Sequence, residues 1–219
     1  MRFRLTTFTL ILVAGALAIP ATAASVTYTT DASFAAAAGG GLTSEGFETA
    51  VAGGTTVTFP GGTFSCTGSS FCPSFFGVST QFHDTGSQSI FFATPDTATF
   101  TFGSAITAFG IAIGGAGDVA PITLGAHLSN GDNVNALTNY TGTFDVFGGN
   151  RQYFGVISTI PFTSITFTGS NSGDGIFFDT MKYGTAQSSV PEPGSIGLLA
   201  TGLAGLIIGA RRMRSRSIR

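Results

Sequence analysis

The residues with most capacity for chemistry in this chain are carboxylates. Glu45 and Glu48 lie early in it, and Asp174 and Asp179 lie late. Asp174 and Asp179 flank a short apolar run, Ile176–Phe178, that reads as a strand. A period of two places Asp179 on the face of Phe177 and Met181, where a carboxylate needs a partner or a metal. In a jelly roll the first and last strands are often neighbours, so Glu45 or Glu48 would approach it. Oxygen ligands suit calcium, which exported proteins meet at high concentration. Glu48, Asp174 and Asp179 are therefore the candidate calcium ligands, with Asn171 beside them. The competing reading has Asp179 bonded to backbone amides or to Lys182. The Asn130-Gly131-Asp132-Asn133 loop offers similar ligand types, but its composition is equally that of an ordinary turn. Apart from calcium, no cofactor is expected.

Catalytic constellations are sparse. The two histidines are His83 and His127. There is no Gly-x-Ser-x-Gly elbow between a strand and a helix, no His-Glu-x-x-His and no phosphate-cradling glycine loop. His83-Asp84, adjacent in sequence, reads as a loop pair. Glu45, Glu48, Asp174 and Asp179 could supply the two acids of a glycoside hydrolase. That keeps a glycan hydrolase as an alternative, while the expectation is a protein that is not an enzyme. Sugar sites usually show exposed aromatic rings beside amides and carboxylates. Here there is no Trp, and only four tyrosines, Tyr28, Tyr140, Tyr153 and Tyr183, accompany 22 phenylalanines, which read as core.

Cys66 and Cys72 are the only cysteines. In an exported chain an even count favours a disulfide, here closing a loop around Gly68-Ser69-Ser70. Two thiols fall short of the four ligands that zinc usually takes.

The elements that must position these groups are strands. Ala98, Phe100 and Phe102 alternate with Thr97, Thr99 and Thr101. Ile122, Leu124, Ala126 and Leu128 alternate with Thr123, Gly125 and His127, and Ile165 and Phe167 with threonines and Ser164. Such alternation is that of strands with one buried face. Continuous apolar runs at Ile106–Ile113, Tyr153–Ile157 and Ile176–Phe178 predict strands buried on both faces. Turn signals separate them at Gly114-Gly115, Asn130-Gly131-Asp132, Gly148-Gly149-Asn150 and residues 171–175. One short helix is predicted over Ala32–Ala38, N-capped by Asp31 and stopped by Gly39-Gly40-Gly41. Many short strands with frequent turns predict an all-β, jelly-roll-like β-sandwich.

The two ends read differently from this body. Residues 1–23 predict a secretory signal peptide: Arg2 and Arg4, an apolar stretch from Leu5 to Ile19, Pro20, then Ala21-Thr22-Ala23 for cleavage. Seven of the nine basic residues sit at the ends. The body, residues 24–187, keeps Arg151 and Lys182 against ten acids, a net of −8 that the whole-chain value of −2 conceals. Such a body cannot neutralise a phosphate backbone, so nucleic acid is excluded as a partner. At the other end Val190-Pro191-Glu192-Pro193-Gly194 precedes an uncharged apolar run, Ile196–Ala210, and five arginines. Fifteen helical residues span about 22 Å, less than the ~30 Å hydrocarbon core. The positive-inside rule keeps the arginines cytoplasmic and the acidic body outside.

This ending resembles the PEP-CTERM sorting signal of Gram-negative bacteria, a segment also called the ice-binding protein C-terminal domain. The resemblance covers residues 188–219: the motif at 190–194, a single transmembrane helix at 195–210 and an Arg-rich tail at 211–219. It implies that an exosortase in the inner membrane recognises Val190, Pro191, Glu192 and Pro193 and cleaves nearby. The body would then pass to the cell surface or the extracellular matrix, in association with exopolysaccharide, biofilm or floc. The prolines hold the motif extended, as a protease cleft requires. The body also resembles the β-sandwich ectodomains joined to such signals, at Asp31-Ala-Ser-Phe34, Glu45-Gly-Phe-Glu48, Tyr153–Ile157 and Asp174–Asp179. Those ectodomains look like carbohydrate-binding modules and lectin-type jelly rolls. Ice binding would need flat, repeated threonine rows, and the Thr97, Thr99, Thr101 row stands without a repeat. The leading expectation is a structural or interacting matrix protein. Calcium-assisted carbohydrate binding and glycan hydrolysis are the alternatives.

Overall fold

The computed structural model describes residues 25–143, 147–148 and 150–187. The expected signal peptide, the sorting motif at Val190–Pro193 and the expected transmembrane helix lie outside them. Among the described residues no helix is long and apolar enough to cross a membrane.

Twelve strands and one helix follow in the order β1 (Ser25–Tyr28), α1 (Asp31–Ala38), β2 (Thr43–Glu45), β3 (Val51–Gly53), β4 (Thr56–Phe59), β5 (Gly62–Thr67) and β6 (Phe76–Ser79). Then come β7 (Ser89–Ala93), β8 (Thr97–Gly114), β9 (Ile122–Leu128), β10 (Asn133–Tyr140), β11 (Gln152–Gly169) and β12 (Gly175–Gly184). All pairings are antiparallel.

The two 18-residue strands, β8 and β11, make the sandwich. The first half of β8 pairs with β5 and with the second half of β11, which continues to β9 and β10. The second half of β8 pairs with β12 and with the first half of β11. β12 continues to β7 and β6, and β1 lines the far side of β11. Between the halves the register slips, and Gly103, Ser104 and Ala105 are exposed, as are Thr159, Ile160 and Pro161. Both strands therefore pass from one layer to the other at these corners, as sandwich strands do at bends.

The alternating stretches face the space between the layers. Phe64, Phe100 and Phe167 from one layer meet Phe92, Phe109 and Phe178 from the other. Phe167 and Phe178 lie 4.9 Å apart, Phe100 and Phe178 5.5 Å, Phe100 and Phe109 5.5 Å. Edge-to-face and offset rings at such distances add to the burial of their area. The phenylalanine-rich composition thus goes mostly into core.

The runs Ile106–Ile113 and Tyr153–Ile157 are buried on both faces because α1 covers their outer one, whereas Ile176–Phe178 is buried on one face only and turns Phe177 outward. Phe34, Ala38, Ala108 and Tyr153 form a separate apolar cluster outside the sandwich. Phe34 lies over Gly110 and Gly155. A Cβ at either glycine would come within 2.7 Å of its ring. The helix begins one residue earlier than expected. Thr30, not Asp31, is the N-cap, with its hydroxyl accepting from the Ser33 amide at 3.2 Å. Asp31 sits in the first turn instead, and accepts from Lys182 Nζ at 2.7 and 2.8 Å. Gly39, at φ 74°, ends the helix in the left-handed region, where a side chain would be strained.

Candidate functional site

The outer face of the β6–β7–β12 layer carries a cleft. In β7, Ile90 and Phe92 point inward and Phe91 points out; in β12, Ile176 and Phe178 point inward and Phe177 points out. The outward rings gather, with Phe91 and Phe177 stacked at 5.4 Å and Phe82 edge-on to Phe177 at 5.2 Å. Phe82 comes from the segment joining β6 and β7, which folds back over this face. At the end of β8, Gly115 adopts φ 76°. A Cβ there would lie 2.4 Å from the Gly175 carbonyl and 2.9 Å from the Phe177 ring, so only glycine lets the ring reach this place. The cleft measures about 540 Å³, and its walls include Phe75, Gln81, Phe82, Asp118 and Phe177. At its mouth Phe75 is 58% exposed and Val119 59%.

Two of the expected calcium ligands hold the wall of this cleft in place. Asp179 Oδ2 accepts from the amides of Asp84 (2.7 Å) and Thr85 (2.9 Å), and its Oδ1 from the Thr180 amide (2.6 Å). Burial pushes its pKa up, against the pull of those amides. Glu48 grips the other end of the same loop. It accepts from the Ser87 amide (2.9 and 3.0 Å), the Ser87 hydroxyl (2.7 Å) and the Gln88 amide. The Ser87 hydroxyl and amide hold its pKa below the ordinary value. Asp84 completes the clamp, accepting from Arg151 Nε at 2.7 Å and from the Thr180 hydroxyl at 3.1 Å.

Glu48, Asp174 and Asp179 therefore do not form one site. Their carboxylates do not converge among the described residues, where the one such grouping is Cys66, Cys72 and Asp96. Asp174 and Asp179 sit at opposite ends of a strand segment, and Glu48 reaches Asp179 only through the intervening loop. The reading of Asp179 as bonded to backbone amides describes its surroundings. The period-two reading also fails past Asp179. A bulge with Thr180 at φ 48° sets two residues of β12, Thr180 and Met181, against Ile111 of β8. Met181 is thereby turned into the core beside Phe178, away from Asp179 and Phe177.

Asp174 is in a different situation. It is 0% exposed. Its Oδ2 accepts from the Gly117 amide and from Asn171 Nδ2, both at 2.8 Å. Its Oδ1 has no partner among the described residues. The carboxyl of Asp118, on the cleft wall, stands within hydrogen-bonding reach. Burial pushes the Asp174 pKa up to about 6, with the Asp118 carboxyl adding to the rise and Asn171 and Gly117 opposing it.

Cys66 and Cys72 are joined as a disulfide, with Cα atoms 6.1 Å apart. Asp96 braces the loop they close by accepting from the amides of Ser70 (3.2 Å), Phe71 (2.6 Å) and Cys72 (2.6 Å). Burial would raise its pKa, but these amides outweigh it and hold it low. Gly68, at φ 149°, passes so close that a Cβ would lie 2.0 Å from Asp96 Oδ1. Asp96→Ala would strip three amides of their acceptor. It is expected to lower stability by about 1–3 kcal/mol. The measurement is a lower urea midpoint at unchanged slope.

Sequence reasoning missed Asp118, Gln81 and the outward Phe82, Phe91 and Phe177. The Gly114-Gly115-Ala-Gly117-Asp118 stretch announced a turn, and the acid at its end was the available signal. Phe91 and Phe177 carried none, because they alternate with core phenylalanines in the same strands, and Phe82 lies in a connecting segment with no period to read.

Residues 189–214 match the PEP-CTERM protein-sorting motif. No curated protein matches the chain. Among solved structures, the chain is similar to the CBM22-1 xylan-binding domain of Paenibacillus barcinonensis Xyn10C. Identity is 14%, with 68% of this chain and 97% of that one covered at a TM-score of 0.43. It is also similar to TmCBM61 in complex with β-1,4-galactotriose, at 14% identity, 63% and 92% coverage and a TM-score of 0.34. A third likeness is to the catalytic unit of the GH87 α-1,3-glucanase of Streptomyces thermodiastaticus, at 14% identity, 70% and 28% coverage and a TM-score of 0.39. At these values no ligand or activity follows from any of the three. The sorting motif does carry a conclusion: it is that of secreted proteins handled by an exosortase and sorted to the cell envelope.

Proposed function

We propose that this PEP-CTERM protein delivers a non-catalytic, glycan-binding β-sandwich to the cell surface, where its cleft holds a chain of neutral exopolysaccharide. The single observation that carries this reading is the cleft on the β6–β7–β12 face. Phenylalanine rings floor it, Phe75 and Val119 stand exposed at its mouth, and Gln81 and Asp118 line it. Rings stack on the C–H faces of sugars, while an amide and a carboxylate bond hydroxyls; a few placed polar groups in an aromatic cleft set orientation. The body's net charge of −8 disfavours a polyanionic chain.

Delivery follows from the ends. The Ile196–Ala210 run holds the newly exported chain in the inner membrane with its five arginines inside. The exosortase then cleaves near Pro191-Glu192-Pro193, and the body passes to the surface or matrix.

A glycan hydrolase is less well supported. Asp118 and Asp174, the carboxyls nearest each other at the cleft, stand within hydrogen-bonding reach. Glycosidase acids stand about 5–9.5 Å apart to admit sugar and water.

Calorimetric titration of the matured protein with the producing organism's exopolysaccharide tests the reading. Binding is expected, with Phe75→Ala weakening it about tenfold, or ~1.4 kcal/mol. Phe75 is exposed, so the variant should keep its melting temperature. Equal binding by both proteins would move the glycan away from this cleft.

A further inference from the structure

We infer that Asp118 and Asp174 together hold a calcium ion at the wall of the cleft, a site separate from the Glu48 and Asp179 clamps. Asp174 Oδ2 is saturated by Gly117 N and Asn171 Nδ2. Oδ1 of the same fully buried side chain has no donor among the described residues, and the Asp118 carboxyl stands within hydrogen-bonding reach of the group. Two carboxylates are acceptors only, so the space between them needs a proton or a cation.

No Lys or Arg among the described residues is available. The body has two Lys or Arg side chains. Arg151 is committed to Asp84 at 2.7 Å and Lys182 to Asp31 at 2.7 Å. Neighbouring donors do not turn inward either. Asn171 spends its Nδ2 on Asp174 Oδ2 and on the Ala120 carbonyl, and its Oδ1 accepts from the Thr94 hydroxyl. Those bonds lock the Asp174 carboxyl in one orientation, as a metal ligand requires.

A proton shared by the pair is the other way to fill the gap. Calcium suits two facing carboxylates. It accepts mixed carboxylate and water ligands in irregular geometry, and Asp118 opens to the cleft, from which waters complete the shell. Magnesium demands a near-ideal octahedron and dehydrates reluctantly. An exported protein meets calcium at concentrations that fill sites with a Kd of about 0.1–1 mM.

The site does not depend on glycan binding, and its test uses calcium alone. Full-length protein in detergent is titrated with calcium chloride at neutral pH and melted with and without about 10 mM of the ion. One site is expected, with the melting temperature raised by about 3–10 °C. In Asp118→Asn the amide can donate to Asp174, so the protein should stay folded without calcium. Its affinity for the ion should fall at least tenfold, and its thermal response should vanish. Asp174→Asn should lose binding as well; should it fail to fold, Asp118→Asn alone decides. A wild-type protein that shows neither heat nor a thermal shift overturns the assignment. So does a calcium response that survives in Asp118→Asn. A calcium-independent protein that instead grows more stable as the pH falls from about 6 to 4 also overturns it, because the pair then holds a proton.

Discussion

Phe100→Ala is expected to destabilise the sandwich by about 3–5 kcal/mol, the upper range for a buried aromatic truncated in a core. Phe100 is fully buried and meets six other rings, Phe47, Phe59, Phe64, Phe109, Phe167 and Phe178, at centroid distances of 4.5 to 6.4 Å. These come from both layers, so a hole at this point cannot close by the shift of one strand. Domains of this kind have about 5–15 kcal/mol in total. The loss is thus a large share of the whole, and a fall of about 6–20 °C in melting temperature should report it. Its neighbour Thr99 faces outward and exchanges a hydroxyl bond with Thr166 at 2.8 Å. Thr99→Ala should cost no more than ~1 kcal/mol. Equal losses at both positions would mean that the two faces of β8 are not divided as described.

The second large effect lies at the other end of the chain. Replacing Pro191, Glu192 and Pro193 together by alanine should abolish sorting while leaving the sandwich intact. Alanine lifts the restriction that two prolines place on the backbone and removes the single charge of the segment that an exosortase would bind. The variant should remain uncleaved in the inner-membrane fraction, with surface and medium levels down at least about tenfold. Fractionation and immunoblotting measure this. Normal release would remove the sorting segment from the account of how the body reaches the surface.

The core was readable because the period of a strand is two and the side chains obeyed it. Thr97–Phe102 and Ile122–Leu128 alternate in burial as they alternate in sequence. The run up to Ile113 was readable as doubly buried, although nothing in it named Phe34 as its cover. The short hairpins β3–β4 and β4–β5 carried too few residues to show a period. In β12 the pattern broke at Thr180, because a bulge inserts a residue without any signature in composition. That slip displaced the expected neighbours of Asp179. The candidate site was harder still. Glu48 and Asp179 were noticed as acids, but their partners are backbone amides of residues 84–88, and amides have no sequence identity. Asp118 and Asp174 are 56 residues apart, and only the fold sets them face to face.

The central claim is that the cleft on the β6–β7–β12 face holds a glycan. Chemical-shift mapping of the matured protein, titrated with fragments of the producing organism's exopolysaccharide, tests it residue by residue. The account predicts that shifts concentrate at residues 75–82, 115–119 and 173–177. Shifts confined to the opposite layer, or none at saturating fragment, would contradict it.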